Sequence, residues 1–255
     1  MKYLMAIVLA AMLAACGQVV EINGRKIDPQ SSAHDHVAIA AQYIQKGDFD
    51  EAHRHLQKAL DLDSKSAEAH NFLAYLLEQE GDQKEAEKHY RRAVSLQPDY
   101  SQAHNNYGSF LYKKGDFSGA ASEFAKASED LSYDKREVAL ENLGRALVKT
   151  GDAAGAESAL TRALRLNKDL PQANFELAQI QFNKGNTAGA RQLYQRYLQL
   201  TPGQVQSART LWLGIRLERI GGDKNALASY ELALKRLYPD SEEYTAYQKS
   251  LGQGK

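Results

Sequence analysis

The stretch GDQKEAEKHYRRAV, residues 81–94, decides the fold because the chain writes variants of it six times. GDFDEAHRHLQKAL precedes it at 47–60, and GDFSGAASEFAKAS, GDAAGAESALTRAL, GNTAGARQLYQRYL and GGDKNALASYELAL follow at 115, 151, 185 and 221. The opening glycines, Gly47, Gly81, Gly115, Gly151, Gly185 and Gly221, are spaced by 34, 34, 36, 34 and 36 residues. Other positions keep the same phase. Five residues after each glycine stands an alanine: Ala52, Ala86, Ala120, Ala156, Ala190 and Ala226. Seven before it the residue is small, as in Ala40, Ala74, Gly108, Gly144, Ala178 and Gly214. Nine after it the residue is large: Leu56, Tyr90, Phe124, Leu160, Tyr194 and Tyr230. Small residues let two helices approach closely, and large ones fill the space between neighbouring pairs.

A period near 34 with this pattern resembles the tetratricopeptide (TPR) helix-turn-helix repeat, in which each glycine ends the first helix of a pair. The frame predicts an all-α TPR solenoid, a right-handed superhelix of six repeats at 33–66, 67–100, 101–134, 137–170, 171–204 and 207–240. Residues 133–136 and 204–206 absorb the two-residue insertions. Ser32 and Ser66 stand where N-caps of first helices belong, and Pro98, Pro202 and Pro239 close second helices. Residues 241–247 are expected to form a short helix that covers the end of the solenoid, within a C-terminal cap and tail of 241–255.

The N-terminus carries an address. After Met1-Lys2, residues 3–15 are uninterruptedly apolar. That is too short to span a bilayer, which takes about 20 residues, but suits the core of a signal peptide. The run ends Leu13-Ala14-Ala15-Cys16-Gly17, which resembles the lipobox of bacterial lipoproteins. Residues 1–15 are then a lipoprotein signal peptide, Cys16 the lipidated residue, and 16–32 a lipidated tether without helical period. Gly17, rather than Asp, resembles lipoproteins sent on to the outer membrane, and several acyl chains anchor far more firmly than one.

Composition excludes several function classes. The 255 residues hold 32 basic and 32 acidic side chains, so there is no basic footprint for a nucleic-acid backbone. A lone cysteine allows neither an internal disulfide nor a thiolate-rich zinc site. Of the seven histidines, His36, His70 and His104 occupy one equivalent position in successive repeats, and His55 and His89 another, so they are assigned to packing or surface rather than metal. No HExxH, GxSxG, Walker loop or GxGxxG is present. The sequence thus points to a non-enzymatic protein with no cofactor, no metal and no small-molecule substrate.

A partner would sit on the concave side, lined by first helices. Repeat positions 5, 9 and 12 share one helical face, which nominates Val37, Ala41 and Ile44, then Asn71 and Tyr75, Asn105 and Tyr112, and Phe175 and Phe182. Packing against the neighbouring helix or the tether is the competing role for that face. Asn71 and Asn105 with Lys113 and Arg145 make an incomplete version of the carboxylate clamp of chaperone-binding TPR domains.

Two segments narrow the partner. NNYGSFL (Asn105 to Leu111), and LWLGIRLER at 211–219 followed by ASYELALKRLYPDSEEY at 228–244, resemble the PilF/PilW family of type IV pilus biogenesis lipoproteins, the pilotins of the pilus secretin. Glu141-Asn142-Leu143-Gly144 and the lipobox also match. Some family members carry a cysteine just after the first of these runs and a second in repeat four. Tyr112 stands here instead, so that bridge cannot form. The resemblance implies a scaffold held on the periplasmic side of the outer membrane by its N-terminal lipid. It implies binding to secretin subunits, with promotion of their localisation and multimerisation, in support of pilus biogenesis and twitching motility. The alternative is a TPR adaptor lipoprotein of another envelope machine, serving outer-membrane protein assembly or peptidoglycan-enzyme control.

Overall fold

The computed structural model describes residues 20–22 and 25–252, so Cys16 and the apolar leader lie outside the described residues. Two short strands, β1 (Val20–Ile22) and β2 (Arg25–Ile27), pair antiparallel with Val20 opposite Ile27. Six helix pairs follow. They are α1 (Pro29–Lys46) with α2 (Phe49–Leu62), α3 (Ala67–Glu80) with α4 (Gln83–Leu96), and α5 (Ser101–Lys114) with α6 (Phe117–Glu129). After them come α7 (Arg136–Thr150) with α8 (Ala153–Leu166), α9 (Pro171–Asn183) with α10 (Thr187–Leu200), and α11 (Ala208–Arg219) with α12 (Lys224–Leu237). A last helix, α13 (Glu242–Gly252), packs on α11. The all-α TPR fold expected from the period is the one observed.

The N-terminal expectation needs correction. Within the segment read as an unstructured tether, 20–22 and 25–27 are paired strands and Pro29 to Ser32 are already helical. β-Branched Val20, Ile22 and Ile27 flank Asn23-Gly24, a two-residue hairpin signal that the 34-residue frame passed over. Ser32 is not a cap. The N-cap is Asp28, whose carboxylate accepts from the Gln30 backbone N–H at 3.1 Å, with Pro29 at the first helical position. Ser66 does cap α3, accepting from the Ala69 N–H.

A two-residue device makes the turn in the first five helix pairs. Gly47 adopts φ 76°, a left-handed conformation that a side chain disfavours, and its N–H donates to the Ile44 carbonyl while that of Asp48 donates to Tyr43. The next residue then caps the second helix. Asp48, Asp82, Asp116, Asp152 and Asn186 each accept from the backbone N–H three residues on, at 2.9–3.3 Å. The glycine ends one helix and the Asx side chain starts the next.

The chain divides into two compact units, the first ending at Phe110 and the second starting at Leu111. In the first, Val37, Leu56, Leu73 and Leu76 are buried in one cluster. The second holds clusters built around Leu140 and Leu160, around Tyr194 and Leu213, and around Leu211, Ile215 and Leu234. Helix approach is close where the small position is glycine. A Cβ on Gly144 would lie 2.5 Å from the Leu160 side chain, and one on Gly214 2.6 Å from the Tyr194 hydroxyl.

Candidate functional site

In the first unit the predicted groove residues divide. Val37 and Asn71 are fully buried, Ala41, Ile44 and Asn105 are half-buried, and Tyr75 is exposed. Position 5 of the repeat therefore belongs to packing. Val37 joins the apolar cluster, and the Asn71 side-chain oxygen accepts from Asn106 Nδ2 at 3.1 Å, linking successive first helices. The accessible remainder of that face is Ile44 and Tyr75, with Glu78 accepting from the Tyr90 hydroxyl at 2.9 Å.

Two histidine pairs of this unit bridge the helices of a repeat. His36 on α1 and His55 on α2 approach Nδ1 to Nδ1 at 3.0 Å, and His70 on α3 and His89 on α4 at 2.8 Å. His70 Nε2 also faces the Ser64 carbonyl at 3.3 Å, which assigns its proton to Nε2 and makes His89 the Nδ1 donor. Both imidazoles are neutral in this arrangement. Burial, and for His70 the neighbouring His89, hold them below the ordinary 6.5. Among the described residues no group of three or more His, Cys, Asp or Glu side chains is arranged to hold a metal.

The second unit carries a different face. Phe175 is buried against Tyr197, whereas Tyr112 and Phe182 are half-buried. Arg145 lies 5.2 Å over the Tyr112 ring, and Lys149 lies 5.8 Å over Phe117. Glu141, at position 5 of repeat four, caps the next repeat: Leu170 gives α9 no side-chain cap, and Glu141 Oε1 accepts from the Ala173 N–H at 2.7 Å. Burial raises the Glu141 pKa, and the Ala173 and Arg145 contacts partly oppose this.

Toward the C-terminus lie residues that the groove frame did not nominate. Arg209 on α11 lies 5.3 Å over Phe175 and grips Glu176 through two 2.9 Å hydrogen bonds. Arg216, two turns on, lies 4.6 Å over Phe182 and 5.5 Å over Trp212. Trp212 meets Tyr247 of α13 edge-on at 6.4 Å. A cleft of about 190 Å³ runs beside these residues, lined by Val148, Glu176, Gln179, Ile180 and Asn183. The signal for them was Arg209 and Arg216 at i, i+7 spacing, just before and within LWLGIRLER at 211–219.

Comparison with known proteins gives this architecture a family. The tetratricopeptide repeat profile matches residues 38–101, 84–133 and 141–205. The type IV pilus assembly protein PilF of Pseudomonas aeruginosa is 35% identical over 242 residues, covering 94% of this chain and 95% of that protein. The chain belongs to the PilF/PilW family. A solved structure of P. aeruginosa PilF superposes with a TM-score of 0.77 at 34% identity, covering 87% of this chain and 99% of that one. The crystal structure of PilW, described as a widely conserved type IV pilus biogenesis factor, gives 0.65 at 27% identity over 85% and 98%. For this family member no helix among the described residues is long and apolar enough to cross a membrane.

Proposed function

We propose that this PilF/PilW family member is a pilotin: a non-enzymatic TPR scaffold, anchored to the outer membrane through lipid on Cys16, that binds type IV pilus secretin subunits and promotes their localisation and multimerisation there. The observation that carries the reading is its 35% identity to a type IV pilus assembly protein along nearly the whole of both chains. Leu13-Ala14-Ala15-Cys16 supports the lipid, and stacked helix pairs without a metal-binding cluster among the described residues support a recognition surface. Acyl chains supply membrane affinity and the helical array supplies specificity. Linking the two confines the captured subunit to the membrane where it must assemble.

Co-purification of the secretin with the full-length protein from detergent-solubilised outer membranes is the test. The secretin is expected in the eluate, and its absence, with another envelope assembly enriched instead, would transfer the protein to the adaptor reading. Cys16→Ser is expected to leave the fold intact while depleting assembled secretin from the outer membrane and abolishing twitching. Tyr75→Asp, an exposed change that spares the core, is expected to weaken the co-purification.

A further inference from the structure

α9 and α11 repeat one pairing twice, and the second copy is unfinished. Arg209 and Arg216 are seven residues apart, and so are the rings they cover, Phe175 and Phe182. The first arginine has its carboxylate, because Glu176 follows Phe175 and binds both guanidinium nitrogens. At the same register the residue after Phe182 is Asn183, which is neutral and lies exposed at the end of α9. Arg216 makes no hydrogen bond or ion pair with any described residue, and its Nε is buried without an acceptor. Its guanidinium is half-buried between Phe182 and Trp212, and burial, with nothing opposing it, draws its pKa down. Nearby carboxylates are engaged elsewhere: Glu218 with Arg191, Glu231 with Arg219, Glu176 with Arg209.

A desolvated cation without a counter-charge disfavours the folded state, and such groups persist at sites that a ligand completes. We propose that Arg216 anchors a peptide-binding site that takes an internal Asp or Glu side chain of a partner protein, flanked by apolar residues. The guanidinium fork matches one planar carboxylate, in the role that Glu176 plays for Arg209. Phe182, and Trp212 braced by Tyr247, give the flanking residues aromatic walls. One free fork beside two aromatic rings fits an acidic residue flanked by apolar neighbours within a segment.

A phage-displayed random dodecapeptide library, panned against the full-length protein, tests this without presupposing the pilus partner. Its failure would leave the secretin co-purification standing. Selected peptides are expected to share an Asp or Glu between aliphatic or aromatic residues. A selected peptide, synthesised with both ends blocked, is expected to change the fluorescence of Trp212, the chain's single tryptophan. Replacing its acid by the amide should weaken binding about tenfold or more, an arm that needs no protein variant. Arg216→Met, which keeps the apolar stem, should lose the acidic consensus while melting no lower than the wild type, since it removes an uncompensated charge. Selection of peptides without an acidic preference, equal affinity of acid and amide peptides, or the same consensus on Arg216→Met would overturn the proposal.

Discussion

The two units solve one structural problem with different chemistry. All seven histidines lie in the first unit, and ten of the fourteen arginines lie in the second. Repeat positions 4 and 23, which face each other across a helix pair, show the contrast directly. In the first unit they are His36 with His55 and His70 with His89, each pair in ring-nitrogen contact. In repeat four of the second unit they are Leu140 with Ala159, both buried. A neutral imidazole pair and an apolar pair thus serve the same backbone arrangement, but only the first can gain charge within the physiological pH range. Two interhelical ion pairs of the second unit, Arg191 with Glu218 and Arg209 with Glu176, run through arginines, which stay ionised. The first unit is built to respond to acid, the second to present fixed positive charge.

The comparison breaks most severely if a residue of one unit is moved to the other. Leu140→His places an imidazole where no second histidine waits, in a core formed by Leu160, Ala163 and Leu177. An unsatisfied buried polar ring together with lost apolar packing should cost about 3 kcal/mol or more. The reverse change, His70→Leu with His89→Ala, recreates the pair of the second unit and should fall within about 1 kcal/mol of the wild type, the worth of the hydrogen bonds removed. Hydrogen exchange, read helix by helix, separates the two outcomes even where unfolding is not two-state.

Glu176→Ala is next in size. It strips the carboxylate from Arg209 and leaves the Gln179 side-chain oxygen, at 3.3 Å, as the acceptor of its guanidinium. Glu176 exposes 8% of its side chain and Arg209 39%, so the loss should fall below that of a fully buried pair, at about 2 kcal/mol. A melting temperature unchanged by Glu176→Ala would mean that the Arg–Phe stack and the apolar packing of Phe175 and Ala178 with Leu213 and Leu217 hold α9 against α11 without the ion pair.

The sequence made the array legible because each repeat restates the same local requirements: a glycine that can turn left-handed, a small residue at the helix crossing, a large one between pairs. Those constraints act over 34 residues, so six copies vote on them. What stayed hidden occurs once or depends on tertiary register. The strand pair at 20–27 precedes the first repeat and answers to a hairpin signal at Asn23-Gly24 instead of the period. Position 5 looked accessible at Val37, Asn71 and Phe175, yet it is buried, because the face it occupies is shared with neighbouring helices. That Arg216 lacks the carboxylate Arg209 has is invisible until α9 and α11 are laid side by side.

Acid response gives a smaller effect with a defined sign. His70 and His89 titrate below 6.5 in the fold and near 6.5 when unfolded. Between those values the unfolded chain binds more protons, so stability rises with pH there. It is therefore complete above about 6.5 and declines as pH falls below it. Amide protection in α3 and α4 should drop between pH 7 and pH 5 while that in α9 and α11, which carry no histidine, should hold. His70→Leu with His89→Ala should flatten the response of α3 and α4. An equal loss of protection in both units would refute the assignment of acid sensitivity to the imidazole pairs.

The smallest expected effect separates the histidine from its surroundings. His34 contacts Glu68 at 2.8 Å, a distance equal to that between His70 and His89. Its side chain is 69% exposed and that of Glu68 34%, so water competes for both groups and screens the pair. Holding two side chains in one geometry consumes rotamer entropy that a solvated contact barely returns. His34→Ala should therefore change the stability of α1 and α3 by less than about 0.5 kcal/mol. A loss as large as that from unpairing His70 and His89 would show that histidine contacts stabilise the first unit regardless of depth. The expected near-silence instead assigns the difference between the units to desolvation: an imidazole shapes this fold only where the helices have closed over it.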